Sequence, residues 1–348
     1  MKTFWSRIYA GTGIQPNAPE SIEQAFGTIV HEHILTDDYI TNPIQAHADA
    51  FAAMKKKVEE LQVVEPLRTE YPILASAVVY AFLTRVIGDM LAKGWRIVEL
   101  ERELRVEHDR VTLVTRPDLV MRSPDGILCY FDLKTTSAQP KTFSQQWELS
   151  PQLHLGAWAY RTVKDGWPIE GVGAMGLHKG TTYQGSLRGP LVVLYHRRDA
   201  DTHDLKSYRP KYVAKWDRGL ITEYPGGIIG WVDDLPDEII GECFPTSPII
   251  PYDEALVQML LAQLENRTDD TDLYLENLRA TDQLSDSEID RVTEQAFPRN
   301  VTSCRNHFGR RCGYWDACWN SVVRKDPIGS GLYTEKEQRD ADESATEE

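Results

Sequence analysis

The chain has 348 residues, 41% of them hydrophobic, enough to bury a substantial core in one large domain or one domain with appendages. Lys and Arg number 38 against 53 Asp and Glu, a formal net charge of -15, which excludes a uniformly basic coat for nucleic acid. No long apolar run opens the chain and the five cysteines are an odd number, so neither a secretory leader nor a disulfide framework is expected; the expectation is a soluble, cytoplasmic protein with no membrane partner.

Ser21 and Gln24 form a capping-box pair ahead of Ile22, Phe26, Ile29, Val30 and Ile34, which recur at helical spacing and predict a helix over 21–40. Further helical patterns cover 45–63 and 72–92. The second is the most apolar stretch, but Thr84, Arg85 and Asp89 interrupt it, so it reads as a buried helix and not a membrane span. Strand character follows at Arg96–Val106 and Val111–Val120. A turn at Ser123-Pro124-Asp125-Gly126 leads into a third strand, Ile127–Lys134, completing an antiparallel meander. Gln145–Val163 returns to helix, with Pro151 in its first turns or at its true start. Gly171–Leu177 and Leu191–Tyr195 read as strands. The second half reads as mostly helical, at 206–218, 228–242, 252–265 and 285–296.

The charge is segregated. Acid collects in the tail Glu335–Glu348, whereas cations gather at Arg197, Arg198, Lys206, Arg209, Lys211, Lys215 and Arg218, and again at Arg305, Arg310, Arg311, Arg324 and Lys325. The overall balance therefore does not decide whether DNA is a partner.

Asp132-Leu133-Lys134 ends the third predicted strand. Side chains alternate along a strand, so Asp132 and Lys134 share one face while Leu133 points into the core. Asp118 follows Pro117 on the preceding strand, and folding the hairpin at Pro124-Asp125-Gly126 brings both acids to one end. Two carboxylates with an amine beside them suit metal-assisted phosphodiester hydrolysis, with oxygen ligands that favour Mg²⁺ or Mn²⁺. The tripeptide alone equally fits an ion pair on an exposed strand. His31 fits either a packed helix residue or a metal ligand. A zinc-protease pair with His33 fails, because the required position holds Leu35.

Taken together, Arg116-Pro117-Asp118 and Tyr130-Phe131-Asp132-Leu133-Lys134-Thr135-Thr136 resemble the signature of the PD-(D/E)xK nucleases. They most resemble the RecB-like branch, with its AddB-type, CRISPR-associated and phage exonucleases. Phe26-Gly27-Thr28-Ile29-Val30-His31-Glu32 is similar to that branch's Gly-x-x-x-His helix. Gln152 opens a segment similar to its Gln-x-x-x-Tyr helix, although Gly156 stands in the tyrosine position and the nearest tyrosine is Tyr160. The resemblance implies an α/β, restriction-endonuclease-like core of helix, three-strand meander, helix and strand, with helical additions and a C-terminal Cys-rich segment. It implies metal ligation by His31, Asp118, Asp132 and the Leu133 carbonyl. Lys134 would act on the attacking water, and Gln152 would orient Lys134 or touch the scissile region.

Cys304, Cys312 and Cys318 crowd among Phe308, Tyr314, Trp315 and Trp319. In the resembled branch such a group, joined by an N-terminal cysteine, holds a [4Fe-4S] cluster. No cysteine precedes Cys129 here, so Cys243 would be the substitute. His307 alternatively completes a three-Cys, one-His Zn²⁺ set, and a reduced aromatic minicore without metal fits as well.

The organisation expected is a helical region at 1–95 carrying His31, a nuclease core at 96–200, a helical region at 201–300, a Cys-rich segment at 301–326 that closes on the core, and an acidic disordered tail at 327–348. The function expected is a metal-dependent DNA exonuclease, acting on single strands or duplex ends, in recombination, repair, phage DNA processing or CRISPR adaptation. Recombination, helicase or CRISPR proteins would be its partners. An endonuclease on the same core and a non-catalytic DNA-binding subunit are the alternatives.

Overall fold

In a computed structural model of the chain, the described residues are 14–16, 20–64, 67–109, 111–136, 140–164, 167–179, 182–183, 186–187, 194–198, 205–207, 221–224, 227–230, 237–279, 314, 316–317, 323 and 326–335. They belong to two compact units, one of Glu20–Glu265 and the other of Met1–Pro19 with Asn266–Glu348. In the second unit, β1 (Ile14–Pro16) pairs antiparallel with the last strand, Tyr333–Glu335, which corrects the start of the expected disordered tail, and Tyr333 stacks on Tyr314 at 6.1 Å.

The Glu20–Glu265 unit opens with α1 (Ile22–Glu32). Ser21 Oγ accepts the Gln24 N–H and Gln24 Oε1 accepts the Ser21 N–H, the reciprocal cap that the sequence announces. The helix buries Ala25, Phe26, Ile29 and Val30. A short α2 (Asp37–Thr41) leads to α3 (Pro43–Glu60), whose buried stripe of Ala46, Ala50, Met54 and Val58 repeats every four residues. Small residues on this stripe let α4 (Leu67–Ala81) lie close against it. The helix continues through a π turn at Phe82–Ile87 into α5 (Gly88–Ala92). Leu67–Ala92 is long and apolar enough to cross a membrane by length and composition. Its Ile73, Leu74, Val78 and Phe82 are nevertheless fully buried inside the protein core.

Next come β2 (Arg96–Leu100), β3 (Leu104–His108), β4 (Val111–Thr115), β5 (Leu119–Arg122), β6 (Leu128–Thr136), α6 (Pro140–Gln145), α7 (Pro151–Val163) and β7 (Ile169–His178). Here the structure corrects the three-strand meander. Arg96–Val106 is two strands broken at Glu101, whose φ is +45°, and Val111–Val120 is two strands broken at Pro117. Proline brings no N–H to a ladder, and a left-handed residue turns a strand off its line. Strands β3 and β4 therefore leave the sheet and pair as their own hairpin, while β2 pairs with β5. The His108–Glu265 contact, 3.2 Å, ties the tip of this hairpin to a later helix.

The central sheet is mixed. Strands β2, β5 and β6 run antiparallel, and β7 lies parallel to β6 across the helical connection through α6 and α7. Strand β6 is covered on both faces. Cys129, Phe131 and Leu133 belong to the core of α1, α3 and α4, whereas Leu128 and Tyr130 pack on Leu153, Ala157 and Tyr160 of α7. Each such side chain contributes about 1.5–3 kcal/mol on full burial, so the strand is held from both sides.

Beyond β7 lie β8 (Thr182–Tyr183), β9 (Ser186–Leu187), β10 (Leu194–Arg198), β11 (Leu205–Ser207), β12 (Ile221–Tyr224), β13 (Gly227–Gly230), α8 (Asp237–Cys243), β14 (Ile250–Pro251), α9 (Glu254–Arg279) and the closing β15 (Tyr333–Glu335). This corrects two helix expectations. Residues 205–207 and 227–230 are strands of a four-stranded sheet, order β11-β10-β13-β12. Ile228 and Ile229 beside Gly227 and Gly230 serve antiparallel pairing, a local pattern that helical periodicity mistook. The helices at 237–243 and 254–279 stand where expected in part. The expected helix at 285–296 and Cys304, His307, Cys312 and Cys318 lie outside the described residues.

Candidate active site and metal centre

Strand register alone brings three acids into one row. Leu119 pairs with Phe131, so one rung further Asp118 stands across from Asp132. Leu100 pairs with Leu119, so one rung further Glu101 stands across from Asp118. The Glu101 N–H points to the Asp118 carbonyl at 3.5 Å. Like charges on neighbouring strands destabilise a sheet unless something positive sits among them.

Where β5 has ended, the Asp118 side chain takes over its pairing: one carboxylate oxygen accepts the Leu133 N–H at 2.6 Å. A strand residue presents its N–H and C=O along the same edge, so the Leu133 carbonyl faces the side of Asp118 too. Asp132 is 2% exposed. One of its oxygens lies 2.7 Å from the Lys134 ammonium, and the other accepts from the Gln152 amide at 2.9 Å. Burying an unpaired carboxylate costs several kcal/mol, and these two donors offset it. Lys134 sits two residues along the same strand face, while Gln152 comes from the first turn of α7, which Pro151 begins.

Helix α1 reaches the site through Gly27. A Cβ at Gly27 would lie 3.3 Å from Thr135 Oγ1, so the missing side chain lets the helix close on the end of β6. One turn later His31 arrives. Its ring nitrogen and single oxygens of Glu101 and Asp118 all lie within 4.8 Å of one another. One imidazole and two carboxylates suit a hard or borderline divalent cation. The donor set fits the metal.

Burial, then the Asp132 charge, pushes the Asp118 carboxyl up to about 7. Burial likewise raises Asp132, against the pull of Lys134, and raises Glu101, against the pull of Arg116. His31 is pushed down to about 4, by burial first and then by the Lys134 charge. Each shift disfavours the charged form of the free site. A neutral imidazole is what a metal ligand requires, and a bound cation would reverse the penalty on the acids.

The structure thus brings His31, Asp118, Asp132, Leu133, Lys134 and Gln152 together. It also adds Glu101, which sequence reasoning missed. Its signal was faint: an acid closing the apolar run of β2 becomes a site residue only once β2 is known to pair with β5. Tyr160 does not join the site, being fully buried in the β6–α7 core with Glu99 beside its phenol. Gly156 has no room for a side chain, because its Cβ would stand 2.5 Å from the Tyr130 hydroxyl. Cys243 is buried in the core with Phe244 and Ile240.

A mixed sheet with helices on both faces, carrying a row of acids and a lysine at one end, is the ground plan of a metal-dependent nuclease. The chain belongs to the PD-(D/E)XK nuclease superfamily, whose family model matches residues 6–319. A comparison with curated proteins finds no match.

Proposed function

We propose that the protein is a metal-dependent DNA exonuclease of the RecB-like kind, with Mg²⁺ or Mn²⁺ as its cofactor. One observation carries this reading: His31, Glu101 and Asp118 converge within 4.8 Å beside the Asp132–Lys134 pair. His31, Asp118 and Glu101 would hold the ion, with Asp132 and the Leu133 carbonyl at its border. A bound divalent cation would polarise the phosphodiester and make a water acidic enough to attack.

The chain's own groups do the rest. Lys134, 2.7 Å from Asp132, favours its ionised form against the effect of burial and has further protons to offer a water or a developing negative charge. Gln152 fixes the other Asp132 oxygen, so the carboxylate does not rotate away from Lys134. His31 stays neutral at physiological pH and keeps a lone pair for the ion. Support for the RecB-like kind lies in the Gly27–His31 helix, in Gln152, and in Cys304, Cys312 and Cys318, for which a [4Fe-4S] cluster or Zn²⁺ with Cys243 or His307 is proposed. Partners in recombination, unwinding or CRISPR adaptation belong to the same proposal.

The test supplies purified protein and Mg²⁺ or Mn²⁺ with linear single-stranded, linear duplex and closed circular DNA, beside Asp132→Ala. Degradation confined to linear DNA and lost in the variant is expected. Nicked or linearised circles would indicate internal cutting. DNA binding without turnover would indicate a scaffold. Activity that survives Asp132→Ala would remove the site.

A further inference from the structure

The hairpin of β3 and β4 carries a second group of metal-type ligands, at its tip. His108 ends β3, Asp109 follows in the turn, and Glu265 reaches them from α9. One ring nitrogen of His108 and one carboxylate oxygen each of Asp109 and Glu265 lie within 4.8 Å of one another. His108 Nε2 and Glu265 Oε1 are 3.2 Å apart. Ligand atoms about 2.0–2.2 Å from a shared cation stand roughly 2.8–3.6 Å from each other, so this pair has the spacing of two neighbours on one ion.

The pair is not a finished hydrogen bond. Glu265 Oε1 is closed to solvent and has no hydrogen-bond partner among the described residues, His108 included. A carboxylate oxygen in that position costs free energy unless a proton donor or a cation meets it. Asp109 sharpens the demand. Its φ of +47° is a left-handed turn conformation that Asn or Gly fills equally well, yet a second carboxylate stands there beside the first. One imidazole and two carboxylates are a donor set for a hard or borderline divalent cation.

The ligands are held by packing beneath them. His108 meets the Trp158 ring of α7 edge to face at 5.3 Å. Leu113 of β4, Leu155 of α7, and Val257 and Leu261 of α9 gather in one apolar cluster. Hairpin and helix are thus adjacent without any ion, which lowers the ordering cost of binding one. The feet of the hairpin give the tip its importance. Glu101 stands just before β3 and Asp118 just after β4, so a tip fixed on α9 restrains both approaches to the row of acids from roughly 15–20 Å away.

We propose that His108, Asp109 and Glu265 bind a divalent cation of the Mn²⁺ type, with solvent completing its shell, and that this ion clamps the β3–β4 hairpin on α9. It is separate from the ion held by His31, Glu101 and Asp118, and neither site depends on the other.

The test titrates the full chain, stripped with EDTA and dialysed, with Mn²⁺ and follows the free ion by electron paramagnetic resonance. Thiolates prefer softer metals, which keeps Cys304, Cys312 and Cys318 out of the count. Two ions per chain are expected for the wild type, one for Asp118→Asn, and one for Glu265→Gln, which keeps the side chain's shape without its charge. In the Asp118→Asn background, Mn²⁺ should slow amide hydrogen exchange in β3 and β4 roughly tenfold, and adding Glu265→Gln or His108→Ala should abolish that gain. Two ions that survive Glu265→Gln, or a gain in protection unaffected by it, would overturn the clamp. A single wild-type ion that is lost in Asp118→Asn would overturn the clamp and leave the nuclease reading intact. A single ion that is lost in Glu265→Gln and kept in Asp118→Asn would support the clamp and remove the metal of the nuclease reading. No bound ion would overturn both.

Discussion

The Asp118 carboxylate accepts the Leu133 amide N–H at 2.6 Å, in the place where an antiparallel ladder would have supplied a strand carbonyl. A residue at the heart of the acid row is therefore also part of the sheet's hydrogen bonding. Its structural and chemical duties can be separated. Asp118→Asn keeps an acceptor for Leu133 but gives up the negative charge, whereas Asp118→Ala gives up both. Both variants should lose at least about 10²-fold in activity. Only Asp118→Ala should lose stability, by about 1–3 kcal/mol for a stranded N–H, and differential scanning calorimetry with EDTA distinguishes the two. Equal melting temperatures would show that the Leu133 bond contributes nothing.

The free site should respond to pH in two opposed ways. His31 has a folded-state value depressed from 6.5 to about 4. Its contribution is complete above pH 6.5 and is lost as pH falls through about 6.5 to 4. Asp118 has a folded-state value raised from 3.8 to about 7, so between those values the folded state binds more protons than the unfolded one and stability falls as pH rises. Between about pH 4 and 6.5 the two slopes oppose each other. In His31→Asn only the falling slope remains. Denaturant midpoints in EDTA from pH 4 to 7 should then drop more steeply with pH than in the wild type, and Mg²⁺ at the upper end should restore stability to the wild type. Parallel profiles would contradict the burial of His31.

Gly27 sets how closely α1 approaches Thr135. Gly27→Ala asks Thr135 Oγ1 to yield by a few tenths of an ångström, and Gly27→Val asks for much more. We expect Gly27→Val to weaken Mn²⁺ binding by calorimetry about tenfold or more, by carrying His31 away from Glu101 and Asp118. Global stability should fall by about 1–3 kcal/mol for the overpacking. Unchanged Mn²⁺ affinity in a folded variant would mean that His31 is not held through this approach.

In the four-stranded sheet, the register sets Arg197 of β10 opposite Lys206 of β11. Arg197→Ala with Lys206→Ala should lower DNA affinity about equally for all sequences and flatten the salt dependence, by roughly 0.7–0.9 in log–log slope for each phosphate that is no longer neutralised. Fluorescence anisotropy at three or more salt concentrations reads this directly, and an unchanged slope would take this sheet out of the DNA path.

Much of this site was legible along the chain. The Ser21–Gln24 cap, the alternation of Asp132, Leu133 and Lys134, and the turn at Pro124-Asp125-Gly126 are local, because each depends on residues within a turn or a strand of one another. The Ser123–Gly126 turn closes as that reading requires, with Gly126 at φ +90°. From it follows the β5–β6 register that faces Asp118 with Asp132. Glu101 was not legible. Its neighbour across the sheet lies beyond an intervening hairpin, and only the break at Pro117 decides that β2 pairs with β5 and not with its successor. The strands at 205–207, 221–224 and 227–230 escaped for a similar reason: short β segments gain stability from partners, and periodicity within so short a stretch does not report a partner.

What the sequence by itself determined is the chemistry at hand: which acids, which amine and which histidine stand at the ends of which local elements, since side-chain type and strand alternation need no distant neighbour. The tertiary structure alone decided that Glu101 joins His31 and Asp118 and that Tyr160 stays in the core. Those facts depend on which strands lie side by side and how closely helices press on them, and burial between non-adjacent segments sets both.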